Sequence, residues 1–303
     1  MKLKINIFLF ISVLNVFFYF SQNNNNCNML KFNWGKLISQ ENIYEKSAIL
    51  IPTQYIFKDS VLNVYMQLDL GSWENYVYTN ILNIESFDDE FINGKTSKIL
   101  LQNGSLAFKY AKYKIIKNDT ALNNKYVTDR EIIGTIGLNE VYSSGLFLDF
   151  KNCVFDYQGI NNYILKMKTD LLFTQTDKII FNIKHNNKIQ SFIYDSGSSL
   201  FPLLFLKNSI DTTLIKNRKS YIFNSWGNSI KVDKIKYKIK TTNIFCDYDF
   251  DKKEVYQLND YYFGKQNEDI MLQNNIVGIV GNQFFGDSKI FIEFKNHLFY
   301  FEK

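Results

Sequence analysis

Phe192-Ile193-Tyr194-Asp195-Ser196-Gly197-Ser198-Ser199-Leu200 is the stretch on which the reading of this chain turns. Three apolar or aromatic residues run into Asp195, and small, hydroxyl-rich residues follow. An apolar run bounded by turn residues reads as a buried strand ending in a tight loop. A carboxylate at such a strand end is costly to bury unless hydroxyls and backbone N–H groups satisfy it. Ser196, Gly197 and Ser198 supply donors of that kind. Taken alone, Asp-Ser-Gly equally fits an Asx-turn closing a hairpin.

A second copy changes the weighting. Val64 to Ser72 reads Val-Tyr-Met-Gln-Leu-Asp-Leu-Gly-Ser, again an apolar run into an aspartate, a glycine and a serine. Asp-x-Gly-Ser therefore stands once in each half of the chain, at Asp69 and at Asp195. Downstream, Ile133-Gly134-Thr135-Ile136-Gly137 is matched by Val277-Gly278-Ile279-Val280-Gly281. Asp149-Phe150-Lys151-Asn152 is likewise matched by Glu293-Phe294-Lys295-Asn296. These nine positions share one offset of 144 residues. A fixed offset, together with the repeated aspartate motif, argues for internal duplication.

An apolar strand, Asp-[Ser/Thr]-Gly-[Ser/Thr] and a later apolar-apolar-Gly block, once per half, resembles the pepsin-like (retropepsin-related) aspartic proteases. The resemblance covers roughly residues 45 to 303. The second copy fits the pattern, whereas the first carries Leu70 where the family has Thr or Ser. The resemblance implies an all-β, bilobal fold, two pseudo-symmetric β lobes with a cleft between them. The N-terminal lobe is expected over 46–158 with Asp69, and the C-terminal lobe over 159–303 with Asp195. Asp69 and Asp195 are the implied catalytic pair, supported by Gly71, Ser72, Ser196, Gly197 and Ser198. In that arrangement Ser72 and Ser198 hydrogen-bond the outer carboxylate oxygens, and Gly71 and Gly197 let backbone approach closely. Ser196 donates across the lobe interface. No cofactor and no metal is implied.

The chemistry explains the duplication. Hydrolysis of an amide by water needs one group to take a proton and another to give one. Two carboxylates held close cannot both ionise comfortably, so they share a proton. One lobe supplies each. Leu70 is the objection, because a hydroxyl lost from a buried interface can leave a partner unsatisfied at about 1–3 kcal/mol. The expected function is an aspartic endopeptidase acting on peptides with apolar side chains around the cut. The alternative is a catalytically weak or inactive relative that binds peptides or a protein partner in the same cleft, and a structural envelope protein is a third possibility. A serine nucleophile at Ser196 would need a histidine base. His185 and His297 are poorly placed for that, and two isolated histidines make no zinc site.

Composition agrees with strands. There are 28 Phe and 20 Tyr but 2 Pro, and aromatic residues favour pleated, half-buried surfaces. The formal net charge of +5 falls to about +3 without Lys2 and Lys4, and no basic run occurs, so no nucleic-acid partner is indicated. Cys27, Cys153 and Cys246 are too widely spaced for a Cys-x-x-Cys site; Cys153 and Cys246 either pair or remain buried thiols. A basic start and the apolar run Ile5 to Phe20 read as a signal peptide over 1–21, with an uncleaved membrane anchor as the alternative. The protein is thus expected to be exported, to the periplasm, the cell surface or the medium, and to act as a monomer on a peptide or protein substrate. Residues 22–45 read as an Asn-rich spacer and lead-in.

Further along, Ala48 to Phe57 and Val61 to Leu68 fit a hairpin, and Asn103-Gly104 marks another that would form the flap. Tyr110 or Tyr113 is the flap aromatic on that reading, unless it faces the core. Strands are expected at 76–78, 132–138, 146–150, 164–172, 178–184, 188–194, 231–241, 276–280, 289–293 and 298–301, with short helical turns near 203–208 and 211–217.

Overall fold

The long strand Asn42–Phe57 turns back into Ser60–Leu68, paired from Leu50↔Gln67 to Phe57↔Ser60, and this hairpin delivers Asp69 to a loop. The computed structural model describes residues 29–39, 42–57, 60–78, 99–100, 113–116, 126–143, 145–157, 167–170, 172–173, 178–185, 188–210, 213, 215–225, 228–237 and 254–302. Residues 1–28, where a signal peptide is expected and which include Cys27, lie outside these residues, as do Cys246, Asn103-Gly104 and Tyr110. Tyr113 opens the strand Tyr113–Ile116.

Val64 to Leu70 is buried at every position, as a strand covered on both faces must be. It pairs in parallel with Ile132–Ile136, with Met66↔Gly134 and Leu68↔Ile136 in register. The second half repeats this. Lys188–Tyr194 pairs in parallel with Ile276–Val280, with Phe192↔Gly278 and Tyr194↔Val280 in register. Even the irregularity recurs, between Tyr65 and Met66 in one copy and between Ser191 and Phe192 in the other. A third strand crosses each glycine from the other side: Val77 lies opposite Gly134 and Phe205 opposite Gly278. A β-carbon on Gly134 would come within 2.0 Å of the Tyr76 carbonyl oxygen, and one on Gly278 within 2.5 Å of that of Leu204. The glycines are what let three strands meet behind each aspartate loop.

Among the described residues these strands belong to two eight-stranded sheets, one per half. A third sheet joins the halves, in the order Leu30–Lys31, Val154–Asp156, Leu146–Asp149, Lys289–Glu293, Leu298–Glu302, Met167–Asp170. At its centre Leu146–Asp149 runs antiparallel to Lys289–Glu293, and Phe147 faces Phe291. Phe147 and Phe291 are the same position in the two copies, one repeat offset apart. The approximate two-fold axis therefore passes through that pair. Aromatic side chains fill the space beneath: Phe285 stacks on Phe150 at 5.9 Å and meets Tyr194 edge-on at 5.5 Å. The described residues are mostly strand, and they form two β lobes related by this approximate two-fold axis and joined through the third sheet.

Of the two helical turns read from the sequence, the one near 203–208 begins as strand, and the one near 211–217 has Thr213 in a 3-10 turn, with 211, 212 and 214 outside the described residues. Leu203–Phe205 is a buried strand, parallel to Val255–Leu258 and antiparallel to Ile276–Val280. A short apolar run does not distinguish strand from helix by periodicity, and its two partners lie far away in the chain. From Ile215 the chain is strand as well, through Ser225. Among the described residues the α-helices are Leu138–Val141 and Lys265–Gln273. Within the 22–45 lead-in, Leu30–Lys31 joins the shared sheet and Asn33–Ser39 pairs with the 42–57 strand. No described helix is long and apolar enough to cross a membrane.

Candidate active site

Both aspartates are reached the same way. The Asp69 N–H donates to the Ile136 carbonyl and the Asp195 N–H to the Val280 carbonyl, each at 2.9 Å. Each chain then turns at once: Ser72 N–H returns to the Asp69 carbonyl and Ser198 N–H to that of Asp195, both at 3.1 Å. The glycine of each motif donates its N–H to its own aspartate's Oδ1, Gly71 at 3.1 Å and Gly197 at 2.8 Å. Small turn residues thus supply the donors that a buried carboxylate needs.

The two loops interlock. A β-carbon on Gly71 would sit 2.4 Å from the Asp195 carboxyl carbon, and one on Gly197 would sit 2.6 Å from that of Asp69. Each glycine therefore seats the opposite carboxyl, and the two carboxyls lie close enough to act on one another electrostatically. The structure brings Asp69, Asp195, Gly71, Gly197, Ser196 and Ser198 into one cluster at the lobe boundary. Asp69 is buried at 5% exposure, while Asp195, Gly71, Gly197 and Ser198 are half-buried.

Their electrostatics are unequal. Burial first, and then the Asp195 carboxylate beside it, push the Asp69 carboxyl well above the ordinary carboxylate range. The Lys178 ammonium and the Gly71 N–H pull the other way. Asp195 receives three donors from its own loop: Gly197 N–H and Ser198 N–H (3.3 Å) on Oδ1, and the Ser198 hydroxyl (2.8 Å) on Oδ2. Asp69 has only Gly71 N–H from its loop. The better-satisfied acceptor is Asp195, so a proton shared by the pair resides on Asp69.

Ser72 departs from its expected role. Its hydroxyl donates to the Glu74 carbonyl at 2.9 Å and not to the Asp69 carboxyl. A serine with a free carbonyl two residues on satisfies itself locally. The asymmetry between the two carboxyls follows directly.

Ser196 makes the cross-lobe tie. Its hydroxyl accepts from Leu70 N–H at 2.8 Å and donates to the Leu68 carbonyl at 3.0 Å. By the pseudo-symmetry, a hydroxyl at position 70 would reach the Ser196 N–H and the Tyr194 carbonyl. Leu70 is instead 1% exposed and packed in the apolar core. Two other contacts cross the boundary at this level: Gln67 Nε2 donates to the Gly197 carbonyl at 3.4 Å, and Lys178 Nζ donates to the Gly71 carbonyl.

Beneath the Asp195 loop lies a brace that sequence reasoning missed. Asn282 Oδ1 accepts from the Tyr194 hydroxyl at 2.5 Å, and Asn282 Nδ2 donates to the Ser196 carbonyl at 3.2 Å and to Ser199 Oγ at 2.5 Å. Burial, and then the Asp195 carboxylate, push the Tyr194 hydroxyl well above its usual range, which keeps it a neutral donor. The first lobe uses Asn75, which accepts from Gly137 N–H at 2.6 Å and donates to Glu140 at 2.9 Å. Asn282 directly follows the repeated glycine block, but its counterpart is Leu138, so the repeat carried no signal for it.

No protein-family profile and no curated protein sequence matches the chain. Among solved structures it is similar to the basic 7S globulin from soybean, at 8% identity and a TM-score of 0.48, over 90% of this chain and 94% of that one. It is also similar to conglutin gamma, a basic 7S globulin from lupine seeds, at 8% identity and a TM-score of 0.48, over 91% and 95%.

Proposed function

We propose that the cleft between the lobes receives an extended peptide and that the Asp69–Asp195 pair activates a water molecule to hydrolyse it. The observation that carries this reading is the reciprocal seating of each carboxyl on the other loop's glycine, which holds the two carboxyls side by side at the lobe boundary. In the productive state Asp195 is the carboxylate that takes a proton from water. Protonated Asp69 hydrogen-bonds the scissile carbonyl oxygen and supports its developing charge. The proton returns to the leaving amine as the tetrahedral intermediate collapses. On this reading the protein is exported and acts on peptides or proteins outside the cytoplasm, as the basic and apolar N-terminal run suggests.

The same site supports a second reading no less well, a pepsin-like protein that holds a peptide or protein partner without cutting it. Leu70 removes one of the two inter-loop hydroxyl ties, Ser72 does not serve Asp69, and a lysine ammonium lies beside the first aspartate loop. One experiment separates the two. A diverse peptide library is incubated with wild type, Asp69→Asn and Asp195→Asn from pH 3 to 8, and both cleavage and binding are measured. The hydrolytic reading expects cleavage with an acidic optimum that disappears in both variants. Binding without cleavage, insensitive to Asp69→Asn, establishes the second reading.

A further inference from the structure

Lys178 lies just before the strand Ile179–His185, in the second half of the chain. Its ammonium reaches over the lobe boundary to the Gly71 carbonyl, 107 positions away in sequence. Gly71 is the residue whose N–H holds Asp69 Oδ1 and whose Cα lies against the Asp195 carboxyl. The first aspartate loop therefore receives two side-chain donors from the second lobe's half: the Ser196 hydroxyl, bonded at Leu68 and Leu70, and Lys178, bonded at Gly71. In a symmetric molecule the complementary tie would come from a hydroxyl at position 70, and Leu70 has none.

We infer that Lys178 is a positioning residue for the Asp69–Asp195 pair: its ammonium, bonded to the Gly71 carbonyl, replaces the inter-lobe tie that Leu70 cannot make. The replacement differs from a hydroxyl in one respect, because it brings a positive charge to the pair. The charged groups that act on the Asp69 carboxyl are Asp195 and Lys178, and the Tyr194 hydroxyl lies within the influence of Asp195. Of these only Lys178 favours ionisation of Asp69. Removing it must both loosen the loop and raise the pair's proton affinity. A purely structural lysine would do the first without the second.

The inference deepens the reading of Asp69 and Asp195 as a working pair, and its test does not depend on cleavage. Aspartate-13C-labelled full-length protein is titrated by NMR, with the pair assigned through Asp69→Asn and Asp195→Asn. Lys178→Met is expected to raise the pair's upper titration midpoint by about one pH unit, the scale of losing an adjacent opposite charge, while Lys178→Arg leaves it in place. Amide exchange at Gly71 and Ser72 is expected to quicken about tenfold in Lys178→Met, as local opening becomes easier. Leu70→Thr in the Lys178→Met background should restore slow exchange without restoring the midpoint. Leu70→Val in the same background, equal in shape to threonine but without the hydroxyl, should restore neither. An unchanged midpoint and unchanged exchange in Lys178→Met overturn the inference, and so does equal rescue by Thr and Val. If the shifts appear in a protein that cleaves nothing, the hydrolytic reading fails and the role of Lys178 stands. If Lys178→Met cleaves normally and shows no shift, the hydrolytic reading stands and the role of Lys178 fails.

Discussion

At the scale of the residue, the two carboxyls differ because one is starved of donors and the other is not. Asp69 pays for its burial in ionisation, and the sign of the effect on stability follows. Its native proton affinity is raised over the unfolded value, near pH 3.9. Stability from this group is complete below that pH and is lost as the pH rises through the raised native value. Asp69→Asn removes the dependence, so its melting temperature should vary less between pH 4 and 7 and exceed wild type by a few degrees at pH 7. A thermal-shift series over that range checks this, and a variant with wild-type pH dependence would refute it. Asn282 offers a second measurement. Asn282→Leu installs the residue found at the equivalent first-lobe position but strips acceptors and donors from Tyr194, Ser196 and Ser199. Urea unfolding should show a loss of about 2–3 kcal/mol, the penalty of leaving buried polar groups unpaired.

At the scale of the element, the two glycine crossings are the least forgiving places in the fold. Gly134→Ala should destabilise by about 3 kcal/mol, and Gly278→Ala by a similar amount, since neither strand can retreat from the carbonyl it meets. Circular dichroism during chemical denaturation measures both, and a neutral result at either would mean that the crossing strand yields. These crossings were legible in the sequence because each is written twice at one offset, with apolar residues on both sides of the glycine. The aspartate strands were legible for the same reason. Leu203–Phe205 was not, because its identity is set by partners more than 50 positions away, which no local pattern encodes. The helix Lys265–Gln273 escaped notice because only Glu268 on it is fully buried, so it shows almost no apolar stripe. Lys178 and Asn282 were illegible in another way: a lysine at a strand entry and an asparagine after a glycine have ordinary local explanations, and only folding brings them to the aspartate loops.

At the scale of the whole molecule, the lobes are not independent bodies that happen to touch. Strands from both halves combine into one sheet, and aromatic side chains from both halves pack beneath it. Neither half has a complete sheet of its own there. Heating should therefore give a single cooperative transition, with calorimetric and van't Hoff enthalpies equal, in spite of the two-lobed outline. Two resolved transitions would show that the shared sheet opens before the lobes melt.

The facing of Phe147 with Phe291 has one more consequence. A residue paired with its own counterpart across an antiparallel register is the signature of an isologous contact between identical subunits. A half-length chain ending after that strand would offer the same edge to a second copy of itself and close as a dimer, with one aspartate from each subunit. Joining the two genes end to end would then have freed each half to change alone. Leu70 in one loop and Ser196 in the other, with Lys178 on one side only, are differences that a homodimer could never have kept apart.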